Sequence, residues 1–252
     1  MTMEILLNEA AKTIRAAKHV IAFTGAGISV ESGIPPFRGS GGIWNKYDPK
    51  LLDIDYYLHN QELCWISIRE MFYDFFNVAK PNKAHLLLAR MEQAGMLKAV
   101  ITQNIDNLHQ EAGSRTVYEF HGNSKKLVCL KCFKEYHAGD FDLKKIPPLC
   151  KNDGSILKPN FVFFGDGIPP GAYTASFRNA EICDVCLIIG STGEVMPASY
   201  IPGTARSHGA TIIEINPEPS NFTRKVTDIF LQGRAGEVMG KLEQKLFEGL
   251  NV

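Results

Sequence analysis

Short apolar or β-branched runs recur along the chain at 20–24 (VIAFT), 99–102 (AVIT), 117–120 (VYEF), 185–189 (VCLII), 211–215 (TIIEI) and 228–231 (DIFL). Segments of helical spacing separate several of them, at 82–95, 105–113 and 194–208. Ahead of the first run, Ile5, Leu6, Ala10, Ile14 and Ala17 return at near-helical intervals and predict a surface helix. Strands alternating with helices predict an α/β fold with a doubly wound parallel sheet, Rossmann-like, whose ligands gather at the carboxyl ends of the strands. Two regions break the alternation. Residues 34–80 are aromatic and helical, and 122–160 are rich in cysteine, lysine and proline. Both read as insertions that together form a smaller lobe facing the sheet. The expected organisation is one domain over 1–252, with 1–33, 81–121 and 161–252 as the large lobe, 34–80 as an arm and helical insertion, and 122–160 as a small insertion.

The first run empties into Gly25-Ala26-Gly27-Ile28-Ser29, where glycines let a backbone approach a phosphate closely. Val30 stands where a dinucleotide fingerprint has its third glycine, and the chain continues through Gly33 into Ile34-Pro35-Pro36-Phe37-Arg38-Gly39. Prolines lack an N–H and restrict the residue before them, so this loop predicts an arm in place of an immediate helix. A tight strand-to-helix turn would also use glycines, but it gives no reason for Phe37 and Arg38. Four other runs end in polar residues: Gln103-Asn104-Ile105-Asp106, His121-Gly122, Ser191-Thr192-Gly193 and Asn216-Pro217-Glu218. One such end is an ordinary cap or turn. Four at the edge that holds the glycine loop predict a single cleft.

Lys and Arg number 27, as do Asp and Glu, so the formal charge is zero and bulk attraction to nucleic acid is not expected. No apolar run approaches the roughly 20 residues of a membrane span. Glu4 and Glu9 fall where a signal peptide would be apolar. With six cysteines and no export signal, the expectation is a cytoplasmic, reducing setting and metal binding in preference to disulfides. Cys129-Leu-Lys-Cys132 followed after 17 residues by Cys150 has the spacing of a four-cysteine zinc site, but Asp153 stands at the fourth position. The expectation is a structural zinc held by three thiolates plus Asp153, water or His137. Cys183-Asp-Val-Cys186 has a similar pattern, yet Cys186 opens an apolar run and reads as a small buried hydrophobe.

GAGIS-x-x-SGIP-x-FRG, TQNID-x-LH, a histidine-glycine after a strand, C-x-x-C, FFG, a GS-T turn and NPE follow in this order over 20–238. This set resembles the sirtuin family of NAD-dependent protein-lysine deacylases, in its prokaryotic-type single-domain form. The resemblance implies that Gly25, Ala26, Gly27 and Ser29 hold the NAD pyrophosphate while Ile34, Phe37 and Arg38 close over the nicotinamide end. It implies that Gln103, Asn104, Ile105 and Asp106 serve ribose and the nicotinamide carboxamide, with Asn104 and Asp106 counted among the catalytic residues. Gly190, Ser191, Thr192, Asn216, Pro217 and Glu218 match turns at the adenosine half, and Ala235 a position beside the adenine. His121 matches the general base, and an imidazole with a pKa near 6.5 suits proton abstraction at neutral pH. His109 is expected to hold its own turn together. An acyl-lysine protein or peptide would lie as an added strand between Val162, Phe163, Phe164, Gly165 and Gly193, Glu194, Val195. Asp166 replaces the usual glutamate after FFG, and Glu194 stands where apolar residues are common.

The implied reaction couples attack of the acyl oxygen on the nicotinamide-bearing ribose carbon to nicotinamide release. An alkylimidate forms, His121 activates a ribose hydroxyl that attacks it, and water completes the release of free lysine and O-acyl-ADP-ribose. No tyrosine has an arginine three residues on, the pair that acidic acyl groups require in this family, so acetyl or another neutral acyl group is expected, with Arg69 the one cation of note in the insertion. A nicotinamide dehydrogenase is disfavoured because 45–60 form no second strand with an acidic end and no Tyr-x-x-x-Lys pair exists. A protein mono-ADP-ribosyltransferase would share the cofactor cleavage and differ in its acceptor. A non-catalytic NAD-sensing protein would have no use for His121 beside Asn104 and Asp106.

Overall fold

The computed structural model describes residues 2–39, 41–76 and 78–248, so the last four positions of the expected 161–252 segment lie outside the described residues. In chain order the elements are α1 (Met3–Ala16), β1 (Val20–Thr24), α2 (Ile54–His59), α3 (Gln61–Ile68), α4 (Asp74–Phe76), α5 (Lys83–Gln93), β2 (Leu97–Thr102), α6 (Leu108–Glu111), β3 (Val117–Glu119), β4 (Gly122–Cys129), β5 (Glu135–His137), β6 (Leu157–Phe161), α7 (Pro170–Ile182), β7 (Val185–Ile189), α8 (Tyr200–Ser207), β8 (Thr211–Asn216), β9 (Ile229–Gln232) and α9 (Ala235–Phe247).

β1 to β3 and β7 to β9 are the six apolar runs, and they form one sheet in the order β3-β2-β1-β7-β8-β9 with every pairing parallel. Its faces are set by alternation along each strand. Val20 and Ala22 of β1 pack with Leu7, Ile14, Leu87, Met239 and Leu242 of α1, α5 and α9. Ile21 and Phe23 pack with Ala180, Ile201 and Ala205 of α7 and α8. From β1 the chain winds first toward β2 and β3, then returns to lay β7 on the other side of β1. Winding reverses between β1 and β7, and a crevice opens at the carboxyl ends of such neighbours.

The small lobe couples both insertions. β4 pairs antiparallel with β5 and β6, and Tyr57, Trp65, Phe72, Cys129, Cys150, Phe161 and Phe163 share one core. Tyr57 Oη and Trp65 Nε1 both donate to the Leu157 carbonyl, at 3.0 and 2.7 Å, tying the helical insertion to β6.

Three local expectations are corrected. The glycine loop does enter a helix, a short 3₁₀ turn over Ala26–Ser32, and the arm begins only after Gly33. Within 105–113 only Leu108–Glu111 is helical, because the Asp106 carboxylate captures the Leu108 N–H and Asn107 adopts φ +65°. Within 194–208 the helix starts at Tyr200, since Pro197 has no N–H to donate. Among the described residues, no helix is long and apolar enough to cross a membrane.

Candidate active site

Gly25 and Gly190 follow β1 and β7 directly, and the crevice between those strands is closed by their backbones. The Gly25 N–H donates to Ile189 O at 3.0 Å and the Gly27 N–H to Gly190 O at 2.9 Å. This approach needs glycine on both sides. A Cβ on Gly27 would lie 2.6 Å from Gly190 Cα, and one on Gly190, which has φ +65°, would lie 2.3 Å from Ile28 N.

Above this seam lies a cavity of about 840 Å³. Its floor and far end are lined by Gly25, Ala26, Gly27, Gly190, Ser191 and Thr192, continuing to Asn216, Pro217, Glu218 and Ala235. Phe37 and Arg38 of the arm, Gln103, Asn104 and Ile105 after β2, and His121 after β3 line the other half. Val162, Phe163, Phe164, Gly165, Asp166 and Val195 also line it. Five expected residues stand back from the cavity. Ser29, Ile34 and Asp106 are buried behind its wall, Gly193 packs against Phe222, and Glu194 forms an ion pair with Arg38 at 2.9 Å.

Behind the wall is a polar network. Asn104 Nδ2 donates to Ser29 Oγ at 3.1 Å and to Gly25 O at 3.2 Å, and Ser29 Oγ donates to Asp106 Oδ2 at 2.7 Å. Asp106 also accepts the Leu108 N–H at 3.0 Å. Burial raises its pKa above the usual aspartate value, opposed by the Leu108 and Ser29 bonds. His109 Nε2 lies 2.9 Å from Thr24 Oγ, so its ring ties α6 to β1 and does not hold its own turn. His85 packs against it with ring centroids 4.9 Å apart. Burial pushes the pKa of His85 down to about 4 and that of His109 well below its ordinary value.

His121 faces the cavity with Nδ1 3.1 Å from Gln103 O. Burial lowers its pKa, and the Gln103 bond partly offsets that effect. The ring therefore stays neutral at physiological pH, with one nitrogen able to take a proton.

The sequence reading missed Trp44, Leu52, Phe72, Phe161 and Met196, all of which line the cavity. Phe37 packs tilted against Trp44 and Phe72, with ring centroids 5.3 and 6.1 Å apart, making an aromatic wall. The aromatic density of 34–80 was the available signal. Arg69 does not line this wall. The residues fit NAD: the glycine seam leaves room for a pyrophosphate, Arg234 brings positive charge, and amides and apolar rings line the end near His121.

In the small lobe, one ligand atom from each of Cys129, Cys132, Cys150 and Asp153 lies within 4.8 Å of the others. Cys132 Sγ and Cys150 Sγ are 3.6 Å apart, and Asp153 Oδ2 is 3.4 Å from Cys129 Sγ. Tetrahedral zinc spaces its sulfurs by about 3.8 Å, so the set fits that ion. The Ser155 N–H holds the Asp153 carboxyl well below the usual range, leaving it an anionic donor. Tyr136 Oη, 3.2 Å from Cys150 Sγ, supports that thiolate from outside. His137 is outside this set, its Nδ1 accepting the Gly139 N–H at 3.1 Å. Cys183 and Cys186 are buried in the large-lobe core.

The Sir2 family pattern matches residues 25–197. The NAD-dependent protein deacylase of Pyrococcus abyssi is 43% identical over 243 residues, covering 94% of this chain and 96% of that protein. The NAD-dependent protein deacetylase of Caldivirga maquilingensis is 43% identical over 236 residues, covering 92% and 90%. A solved Sir2 homologue–NAD complex superimposes with a TM-score of 0.88 at 39% identity, covering 96% of this chain and 94% of that one. A Sir2–p53 peptide–NAD complex gives 0.87 at 32% identity, covering 97% and 98%. Reversed winding beside a double-glycine seam, a histidine across the cleft and matching relatives along nearly the whole length leave one conclusion: this chain belongs to the Sir2 family, the sirtuins.

Proposed function

We propose that this protein removes acetyl or other neutral acyl groups from lysine side chains of proteins, consuming NAD and yielding nicotinamide, free lysine and O-acyl-ADP-ribose. The observation that carries the reading is His121 beside Gln103 and Asn104 on the wall of the cavity whose floor is the glycine seam. NAD, when bound, supplies a ribose carbon whose bond to nicotinamide breaks as the acyl oxygen attacks, so the acyl group leaves on the sugar.

The chain's own residues do the rest. His121 Nε2 takes the proton of a ribose hydroxyl, while Nδ1 stays on Gln103 O. Asn104 orients a polar group at the same end and is itself held by Ser29 and Gly25. Asp106 acts through Ser29 to fix that arrangement. Phe37, Trp44 and Phe72 keep water from the reacting sugar, where hydrolysis would waste the cosubstrate. The seam binds the diphosphate, Arg38 closes over the nicotinamide end, and Ser191, Asn216 and Glu218 take the adenosine half. The acyl-lysine peptide lies along Val162–Gly165 and Gly193–Val195. Its partners are acylated proteins, not nucleic acid, and the cytoplasm is the setting in which the three zinc thiols stay reduced. Zinc in the small lobe is structural.

Incubation with NAD and a mixture of acetyl-, propionyl-, butyryl- and succinyl-lysine peptides, followed by mass spectrometry, tests the reading. Nicotinamide and acyl-ADP-ribose in equal amounts are expected. NADH formation, or ADP-ribose attached to protein with the acyl peptides untouched, would overturn it.

A further inference from the structure

Lys158 of β6 is a lysine that is only 4% exposed, and it does not line the cavity. Its Nζ lies 2.8 Å from Phe161 O, 3.2 Å from Pro159 O and 2.9 Å from Asp166 Oδ2. Three donors thus meet three acceptors, and the ammonium also sits 4.0 Å over the Phe163 ring. Asp166 Oδ2 in turn accepts the Phe163 N–H at 3.0 Å. One ion pair, its lysine buried and its aspartate partly exposed on the cavity wall, therefore binds both ends of the bend from Phe161 to Asp166.

The other flank of this bend is fixed by backbone. The Phe164 N–H donates to Leu52 O at 2.8 Å, and Phe164 O accepts the Ile54 N–H at 2.9 Å. Phe164 is thus already paired to the helical insertion, and an incoming extended peptide must use the groups around Gly165. Their position follows from the bend, and the bend follows from the ion pair. Asp166 is one methylene shorter than the glutamate common at this place, and the long stem of Lys158 reaches it.

We propose that Lys158 is a positioning residue which, through Asp166, sets the edge on which an extended acyl-peptide pairs, and so favours peptides over an isolated acyl-lysine. The inference rests on reading Val162–Gly165 as the substrate edge. A pair with one buried member adds little net stability against an apolar replacement, but loss of Asp166 would leave the buried Lys158 ammonium uncompensated. Its geometric effect is what the reaction uses.

The test compares steady-state kinetics of wild type and Lys158→Met on an acetyl-lysine peptide and on a single acetyl-lysine amide, with NAD varied separately. Lys158→Met should raise KM for the peptide by about tenfold, with much smaller changes in kcat and in KM for NAD. The amide, which has no flanking backbone to pair, should lose far less. The double variant Lys158→Met/Asp166→Asn, with no unpaired charge left, should recover part of the peptide KM. Should Lys158→Met not fold, Asp166→Asn carries the same expectation. Equal losses on peptide and amide, or a matching rise in KM for NAD, would overturn the inference. Wild-type protein inactive on every acyl substrate would instead overturn the functional reading on which it rests.

Discussion

His121 Nδ1 lies 3.1 Å from the backbone carbonyl oxygen of Gln103. A carbonyl oxygen only accepts, so Nδ1 carries the proton and Nε2 keeps its lone pair. The residue after β2 thereby selects the tautomer of the imidazole after β3. His121→Ala should lower acyl transfer by about 10²–10⁴-fold, with NAD binding retained by calorimetry. Because burial depresses the imidazole pKa below 6.5, the acid limb of the kcat profile should fall below that pH. A limb centred above it would contradict the assignment.

His85 and His109 extend the same argument to stability. Their native pKa values lie below the unfolded value of 6.5, at about 4 for His85 and well down for His109. Unfolding then takes up protons between those limits, so stability should be flat above pH 6.5 and decline as the pH falls from there toward 4. Denaturant midpoints measured across this window should slope, and His109→Gln should reduce the slope.

Glu214 of β8 is fully buried with no cationic partner among the described residues. Its oxygens accept from Asn216 Nδ2 (2.8 Å), Ser220 Oγ (2.5 Å), Thr223 Oγ1 (3.1 Å) and Thr227 Oγ1 (2.6 Å). Asn216 also reaches Ser191 O at 3.1 Å, so this one side chain organises the Asn216–Ser191 end of the cavity. Glu214→Ala should cost about 3 kcal/mol by denaturant unfolding and raise KM for NAD more than KM for peptide.

Three thiolates and a carboxylate make a harder donor set than four thiolates. Metal analysis should find about one zinc per chain. A chelator should remove it and lower the melting temperature. Asp153→Cys should slow that loss, and Asp153→Ala should hasten it.

The aromatic wall of Phe37, Trp44 and Phe72, with Phe161 beside it, presents apolar rings, and Arg38 in the same half of the cavity is already paired with Glu194 at 2.9 Å. Burying a succinyl charge there is costly. Acetyl, propionyl and butyryl peptides should be turned over at least about tenfold faster than a succinyl peptide, as product mass ratios would show.

What the sequence determined was whatever is written in local pattern. Six apolar runs became the six strands, and the central β1 and β7, buried along their whole length, are the most continuously apolar, as a parallel strand covered on both faces must be. The glycine loop, His121 and the cysteine spacing were legible because their chemistry demands particular residues at particular intervals. β4 to β6, by contrast, carry mixed sequences, and Lys158 looks like any surface lysine until three oxygens are folded around it. Only the tertiary structure decided that Asp106 and Ser29 stand behind the cavity while Trp44 and Phe72 line it. It also decided that Asp153, not His137, completes the cysteine cluster. Spacing along a chain says which residue types a site needs. Which side of a wall each one occupies depends on packing between segments distant in sequence, where no local periodicity records it.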